Sequence, residues 1–184
     1  MTLADNQNPT PVFPEDILRR SDISKPWRVA HTKSRREKAL AKYLAGAGIG
    51  YYLPMYKRRQ SNAKRVRYSL MPLFNGYVFF KGDDFDHHQA LRSNQIAQVI
   101  DVQAPDTLIK ELINIHAALS HDSPVYPYDY VAEGQTVRVK TGPLKDIEGV
   151  IVRKDRNYRL VLSVSTIRQS MAVTIDADMV EPVT

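Results

Sequence analysis

The hydrophobic period changes part-way along this chain, and the change limits what it can fold into. From Pro105 the apolar residues Leu108, Leu112, Ile115 and Leu119 recur at helical spacing and predict a helix with one buried stripe. From residue 135 apolar residues instead alternate in twos, as in Val137/Val139, Val150/Val152, Leu160/Leu162/Val164 and Met171/Val173/Ile175, the period of half-buried strands. Between them HDSPVYPYDYVAEG, residues 121–134, holds two prolines and no period. We therefore expect a linker at 121–133 between a unit over 26–120 and a second over 134–184. Both fit the size of small domains.

The first unit predicts a mixed order of elements. WRVAHT (27–32) alternates like a strand. Ser34 and Glu37 then fit a capping box, and Leu40, Tyr43, Leu44 and Ala47 form the buried stripe of a helix whose other side carries Arg35, Lys38 and Lys42. IGYYLPMYKRR (49–59) and KRVRYSLM (64–71) read as two strands joined at 60–63, with cations at the turn end. A strand over 73–81, a short polar segment over 83–92 and a strand over 96–103 precede the helix at Pro105. The fold class is α+β: an N-terminal antiparallel sheet with flanking helices, then short strands that predict a small five-stranded β-barrel or curled sheet. Residues 1–25 are rich in Pro, Asp and Asn, lack an apolar core region and are expected to be a flexible extension rather than a signal peptide.

Charge locates a surface. The net charge is +6, yet residues 28–67 alone carry twelve cations against one carboxylate, while 68–132 sums to −5. A field confined to one segment is the footprint of a polyanion partner, usually nucleic acid. The absence of cysteine excludes disulfides and thiolate ligands and fits a reducing, cytoplasmic compartment. No run approaches the ~20 apolar residues of a membrane span. His87 and His88 are adjacent and so diverge on a helix, with no third ligand nearby, and no metal or cofactor is expected. No nucleophile, phosphate-loop or paired acid/base motif occurs, so the expectation is a binding protein and not an enzyme.

Three segments together resemble a known family. GQTVRVKTGPLKDIEGVIVRK (134–154) resembles a KOW motif, and WRVAHTKSRREKALAKYL (27–44) with PLFNGYVFF (72–80) resembles the N-terminal (NGN) domain of NusG-type transcription elongation factors. The resemblance implies an NGN-like domain followed by an SH3-like KOW barrel. It also implies binding to the clamp helices of the largest RNA polymerase subunit through an apolar surface, here His31, Leu73, Phe74, Tyr77 and Phe79. Tyr77 and Phe79 share one face of a strand and Val78 and Phe80 the other, so one pair must be core. An alternative use of these aromatics, stacking on single-stranded bases, needs flanking cations, and 72–80 has none.

The resemblance further implies that Lys33, Arg35, Arg36 and Lys42 face the non-template DNA strand, and that His87, His88, Gln89 and Arg92 approach the gate loop across the polymerase cleft. Lys57, Arg58, Arg59, Lys64, Arg65 and Arg67 lie on a hairpin in reach of upstream duplex DNA. In the second unit Leu144 and Ile147 stand where a phenylalanine pair is usual, and STIRQS (165–170) lacks a Phe-Gly-Arg loop. With Ile167 these keep an apolar surface for a small-subunit ribosomal protein, argue against Rho, and point to an operon-specific antitermination paralogue of the RfaH-like kind. The competing expectation is an RNA-binding module of the KOW ribosomal-protein type.

Overall fold

The computed structural model describes residues 8–19, 25–62, 65–121, 124–131, 134–154 and 157–183, without the side chains of 60–62, 65–66, 154 and 157. The chain divides into two compact units between Pro105 and Asp106. The first is α+β, and its main sheet is antiparallel with strand order β1-β3-β6-β2-β7. Its strands are β1 (Val12–Phe13), β2 (Trp27–Thr32), β3 (Gly50–Tyr52), β6 (Tyr77–Lys81) and β7 (Ile96–Asp101). Strands β4 (Met55–Asn62) and β5 (Arg65–Pro72) pair with each other in a separate ribbon.

Register assigns the two sheet faces. Ala30 lies opposite Val78, and Tyr51 opposite Phe80, so these four share the face covered by helix α1 (Glu37–Gly46). Leu40, Ala41 and Leu44 complete this core with Ile49, Leu53 and Ala90. Each buried leucine contributes about 1.5–3 kcal/mol. The helical stripe thus runs through Ala41, while Tyr43 and Ala47, expected to be core, are exposed. On the opposite face Val29, Tyr52 and Phe79 are also fully buried. Burial raises the Tyr52 phenol pKa well above its usual value.

Three local expectations are corrected here. Residues 8–19 are not a free extension: β1 pairs with β3, Leu53 N–H donates to Pro11 O at 2.7 Å, and Ile17 and Leu18 are buried. Apolar Val12, Phe13, Ile17 and Leu18 outweigh the polar composition around them. Next, no Ser34/Glu37 capping box forms, because Arg36 is the N-cap of α1 and makes no side-chain cap. The reciprocal box occurs in α2 (Asp84–Arg92), where Asp83 and Asp86 each accept the other's backbone N–H. Finally, the strand expected over 73–81 begins only at Tyr77, since 73–76 is a turn with Gly76 at φ 84°.

The second unit comprises α3 (Pro105–Leu119) and an antiparallel sheet of β8 (Val125–Tyr128), β9 (Thr136–Val139), β10 (Glu148–Lys154), β11 (Asn157–Val164), β12 (Gln169–Ile175) and β13 (Val180–Pro182). Strand order is β13-β9-β10-β11-β12-β8, and among the described residues no pairing joins β13 to β8. The expected five-stranded SH3-like barrel is not shown: the described residues form a six-stranded sheet in which no closure is found. Its extra strand, β8, comes from the segment taken as linker and pairs with β12 from Tyr128↔Ser170 to Val125↔Val173. Arg159 stacks on Tyr126 and Tyr128 at 5.2 and 5.7 Å, which secures that strand. Helix α3, expected in the first domain, falls in this unit: Asn114 donates to Glu148 O, and the Glu111 carboxylate accepts Ser165 N–H.

Candidate nucleic-acid interface

The basic segment leaves β2 through an irregular turn. Register slips between His31 and Thr32 against β7, Thr32 N–H donates to Gly76 O at 2.7 Å, and Lys33 N–H donates to Gln95 O at 2.8 Å. Arg35 then adopts φ 58°, a left-handed conformation that reverses the chain into α1. Glu37, the first residue of the helix, is buried, and its carboxylate accepts Gly76 N–H at 2.6 Å. The 73–76 turn and the start of α1 are therefore tied together. Tyr77, directly after that turn, stacks on His31 with ring centroids 5.0 Å apart.

These elements enclose a cleft of about 870 Å³ lined by His31, Lys33, Arg35, Glu37, Met71 and Asn75, among others. Thr32 also lines it, and its buried hydroxyl has no partner among the described residues. The cations of this region separate into distinct roles. Lys33 is exposed and donates to Asn94 Oδ1 at 2.6 Å, Arg35 is exposed at the cleft, and Arg36 is exposed at the N-cap. Lys38 is held inward by Asn8 Oδ1 and Leu70 O, and burial lowers its ammonium pKa. Lys42 is exposed further along α1 and does not line the cleft.

Of the five residues expected to face a polymerase, His31 and Tyr77 are half-buried at this cleft edge. Leu73, Phe74 and Phe79 are buried, with Phe74 edge-on to Phe79 at 6.3 Å. The gate-loop candidates lie on α2, where His88 and Arg92 are exposed and His87 and Gln89 half-buried. His88 Nδ1–H donates to Asp84 O at 2.7 Å, while burial and the nearby Arg28 lower the His87 pKa. Within the short segment expected over 83–92, Asp83, Asp84 and Asp86 start α2, and Asp84 and Asp86 pair with Arg28 and Lys25. Leu144, Ile147 and Ile167 are all buried. On the hairpin Lys57, Arg58, Arg59 and Arg67 are exposed; Lys64 lies outside the described residues, as does the Arg65 side chain. No group of three metal-ligating side chains occurs among the described residues.

Sequence reasoning missed Thr32 and the Glu37–Gly76 bond. The signal for the latter was present in the Asn75-Gly76 turn pair, but its partner lies 39 positions away. Residues 25–115 match the family described as transcription termination factor NusG. This segment is NusG-like. The match contains every cleft-lining residue and ends inside α3, and it supports a factor of transcription termination or elongation in general. No individual curated protein matches the chain. Among the described residues no helix is long and apolar enough to cross a membrane.

Proposed function

We propose that the chain is a NusG-type elongation or antitermination factor of the operon-specific, RfaH-like kind, a binding protein that performs no catalysis. Its first unit binds the clamp helices of the largest RNA polymerase subunit beside His31 and Tyr77, and Lys33, Arg35 and Arg36 rest on phosphates of the non-template strand. Contacts of that sort fix position without reading sequence. Bound there, the factor suppresses pausing or termination. The second unit, in this proposal a KOW module, recruits a protein such as a small-subunit ribosomal protein. Its turns are shaped by the buried Leu144, Ile147 and Ile167.

One observation carries the proposal: the cleft that joins the stacked His31–Tyr77 pair to Lys33 and Arg35 lies wholly within the NusG-matched segment. The test uses the full chain and a polymerase elongation complex, with and without the non-template strand, over a salt series. Replacing Lys33, Arg35 and Arg36 by serine should flatten the dependence of log affinity on log salt by about two units, at roughly 0.7 per single-strand phosphate contact. Binding to isolated clamp helices should persist in that variant and weaken on Tyr77→Ala. An unchanged salt slope, or no dependence on the non-template strand, would remove the DNA contact from this surface.

A further inference from the structure

Two consecutive residues of α1 grip the same wall of the cleft. Glu37 accepts Gly76 N–H at 2.6 Å, and Lys38 Nζ donates to Leu70 O at 2.6 Å. A carboxylate thus takes a backbone donor at one end of segment 70–76, and an ammonium takes a backbone acceptor at the other. Met71, Pro72, Asn75 and Gly76, from this segment, line the cleft together with Lys38 itself. The segment needs such ties. Residues 73–76 form a turn, and among the described residues the β4–β5 ribbon, whose end the segment includes, pairs with no other strand.

Lys38 is held in turn from outside the family-matched residues. Its second acceptor is Asn8 Oδ1 at 2.7 Å, in a segment that precedes the match over 25–115. That segment is built into the first unit at several points. Tyr51 O–H donates to Thr10 O at 2.8 Å, Phe13 stacks on Tyr51, and β1 extends the sheet beyond β3. Ile17 is buried against Gly50, where an added Cβ would collide with its Cδ1. Asn8 is therefore presented by an anchored backbone. An ammonium has three donors. Two go to Asn8 and Leu70, and burial disfavours the charged form, so Lys38 is poorly placed to serve a phosphate, unlike the exposed Lys33 and Arg35.

We propose that residues 8–19 brace the cleft, with Lys38 as a positioning residue: Asn8 fixes its ammonium, and through Leu70 O that ammonium sets the 70–76 wall against α1. The wall is then in place before a partner arrives, and binding free energy is not lost in ordering it. That the partner is a polymerase with its non-template strand rests on the function proposed above. The brace itself does not.

Two measurements on the full chain test it. Hydrogen exchange reads the brace with no partner present. Lys38→Met, which keeps the aliphatic stem, should speed exchange at the amides of 70–76 about tenfold or more, the factor for a lost hydrogen bond to a charged donor, while β2 and β6 stay protected. Asn8→Ala should act in the same direction by a smaller factor, since Leu70 O keeps its partner, and Asn8→Asp, which retains an acceptor, should match wild type. Ile17→Asp, which expels the segment without touching Asn8 or Lys38, should reproduce Asn8→Ala. Binding to the elongation complex over a salt series then separates positioning from contact. Lys38→Met should lower affinity roughly threefold to tenfold, the cost of ordering one or two side chains, and leave the slope of log affinity against log salt unchanged. The proposal is overturned if exchange at 70–76 is the same in Asn8→Ala or Ile17→Asp as in wild type, or if Asn8→Asp behaves like Asn8→Ala. It is equally overturned if Lys38→Met flattens the salt slope by about 0.7, the value of one single-strand phosphate contact. A protein that showed the expected exchange pattern yet bound no polymerase would sink the function proposed above and leave the brace standing.

Discussion

Glu37 is the residue on which the cleft geometry most depends, and Glu37→Ala is the perturbation that exposes it. The carboxylate is buried and accepts Gly76 N–H at 2.6 Å, and it is the only acidic group in the first turn of a helix whose N-cap residue, Arg36, makes no side-chain cap. Truncation leaves a part-buried backbone donor unpaired, a loss of about 1.5–3 kcal/mol for a bond to a charged acceptor. It also removes a favourable interaction with the helix dipole worth about 0.3–1 kcal/mol. Together these predict a loss of about 2–4 kcal/mol. For a unit of this size that is a fall in Tm on the order of 10–20 °C. Glu37→Gln supplies the control, because its amide oxygen still accepts the Gly76 donor and only the charge is lost, so it should cost about 1 kcal/mol. The assay is thermal or urea unfolding of both variants, with clamp-helix binding measured well below Tm. Binding should weaken in Glu37→Ala, since the 73–76 turn sets Tyr77 against His31. Equal and small costs for the two variants would refute the argument, for they would mean that the hydrogen bond is not what ties the turn to α1.

Two further predictions concern the second unit. Burial raises the Glu111 pKa against the opposing effect of Ser165 N–H, so the folded protein binds more protons than the unfolded chain in the interval above the ordinary glutamate range. Stability should therefore decline as pH rises through that interval. Glu111→Gln, which cannot ionise, should lose this decline, and parallel pH profiles of Tm for the two proteins would disprove it. Arg159→Gln removes the cation stacked on Tyr126 and Tyr128, worth about 0.5–2 kcal/mol. Hydrogen exchange at 125–128 should accelerate while β10 and β11 stay protected, and uniform exchange across the sheet would contradict a local role.

The parts of the fold that sequence made plain are those in which period and burial have one local cause. In α3 the stripe predicted at Leu108, Leu112 and Ile115 is buried as spaced, with Ala118 taking the last position instead of Leu119. In β9 Val137 and Val139 are buried between exposed neighbours. The elements that escaped are held by distant partners. Residues 125–128, VYPY, have a proline and no alternation, and become a strand because β12 offers an unpaired edge and Arg159 offers a stacking cation. Residues 12–13 likewise gain their conformation from β3. The capping pattern at Ser34 and Glu37 misled for the same reason: a carboxylate that suits a local cap found a better donor 39 positions away.

The candidate site was legible in charge but not in direction. Counting cations marks 28–67 as the basic stretch, yet Lys33, Arg35, Lys38 and Lys42 have different fates that no spacing rule separates. The slip between His31 and Thr32 and the left-handed turn at Arg35 bring Lys33 and Arg35 to the cleft, while Asn8 and Leu70, from elsewhere in the chain, draw Lys38 inward. The aromatic run obeys the same logic. Strand alternation predicts that one of the pairs 77/79 and 78/80 is core, on the premise that only one sheet face is covered. Here Phe79 is as buried as Val78 and Phe80, and Tyr77 escapes only because it follows the turn that Glu37 anchors. A residue's type thus decides which contacts it can make, and an irregularity in the backbone decides whether it is free to make them with a partner.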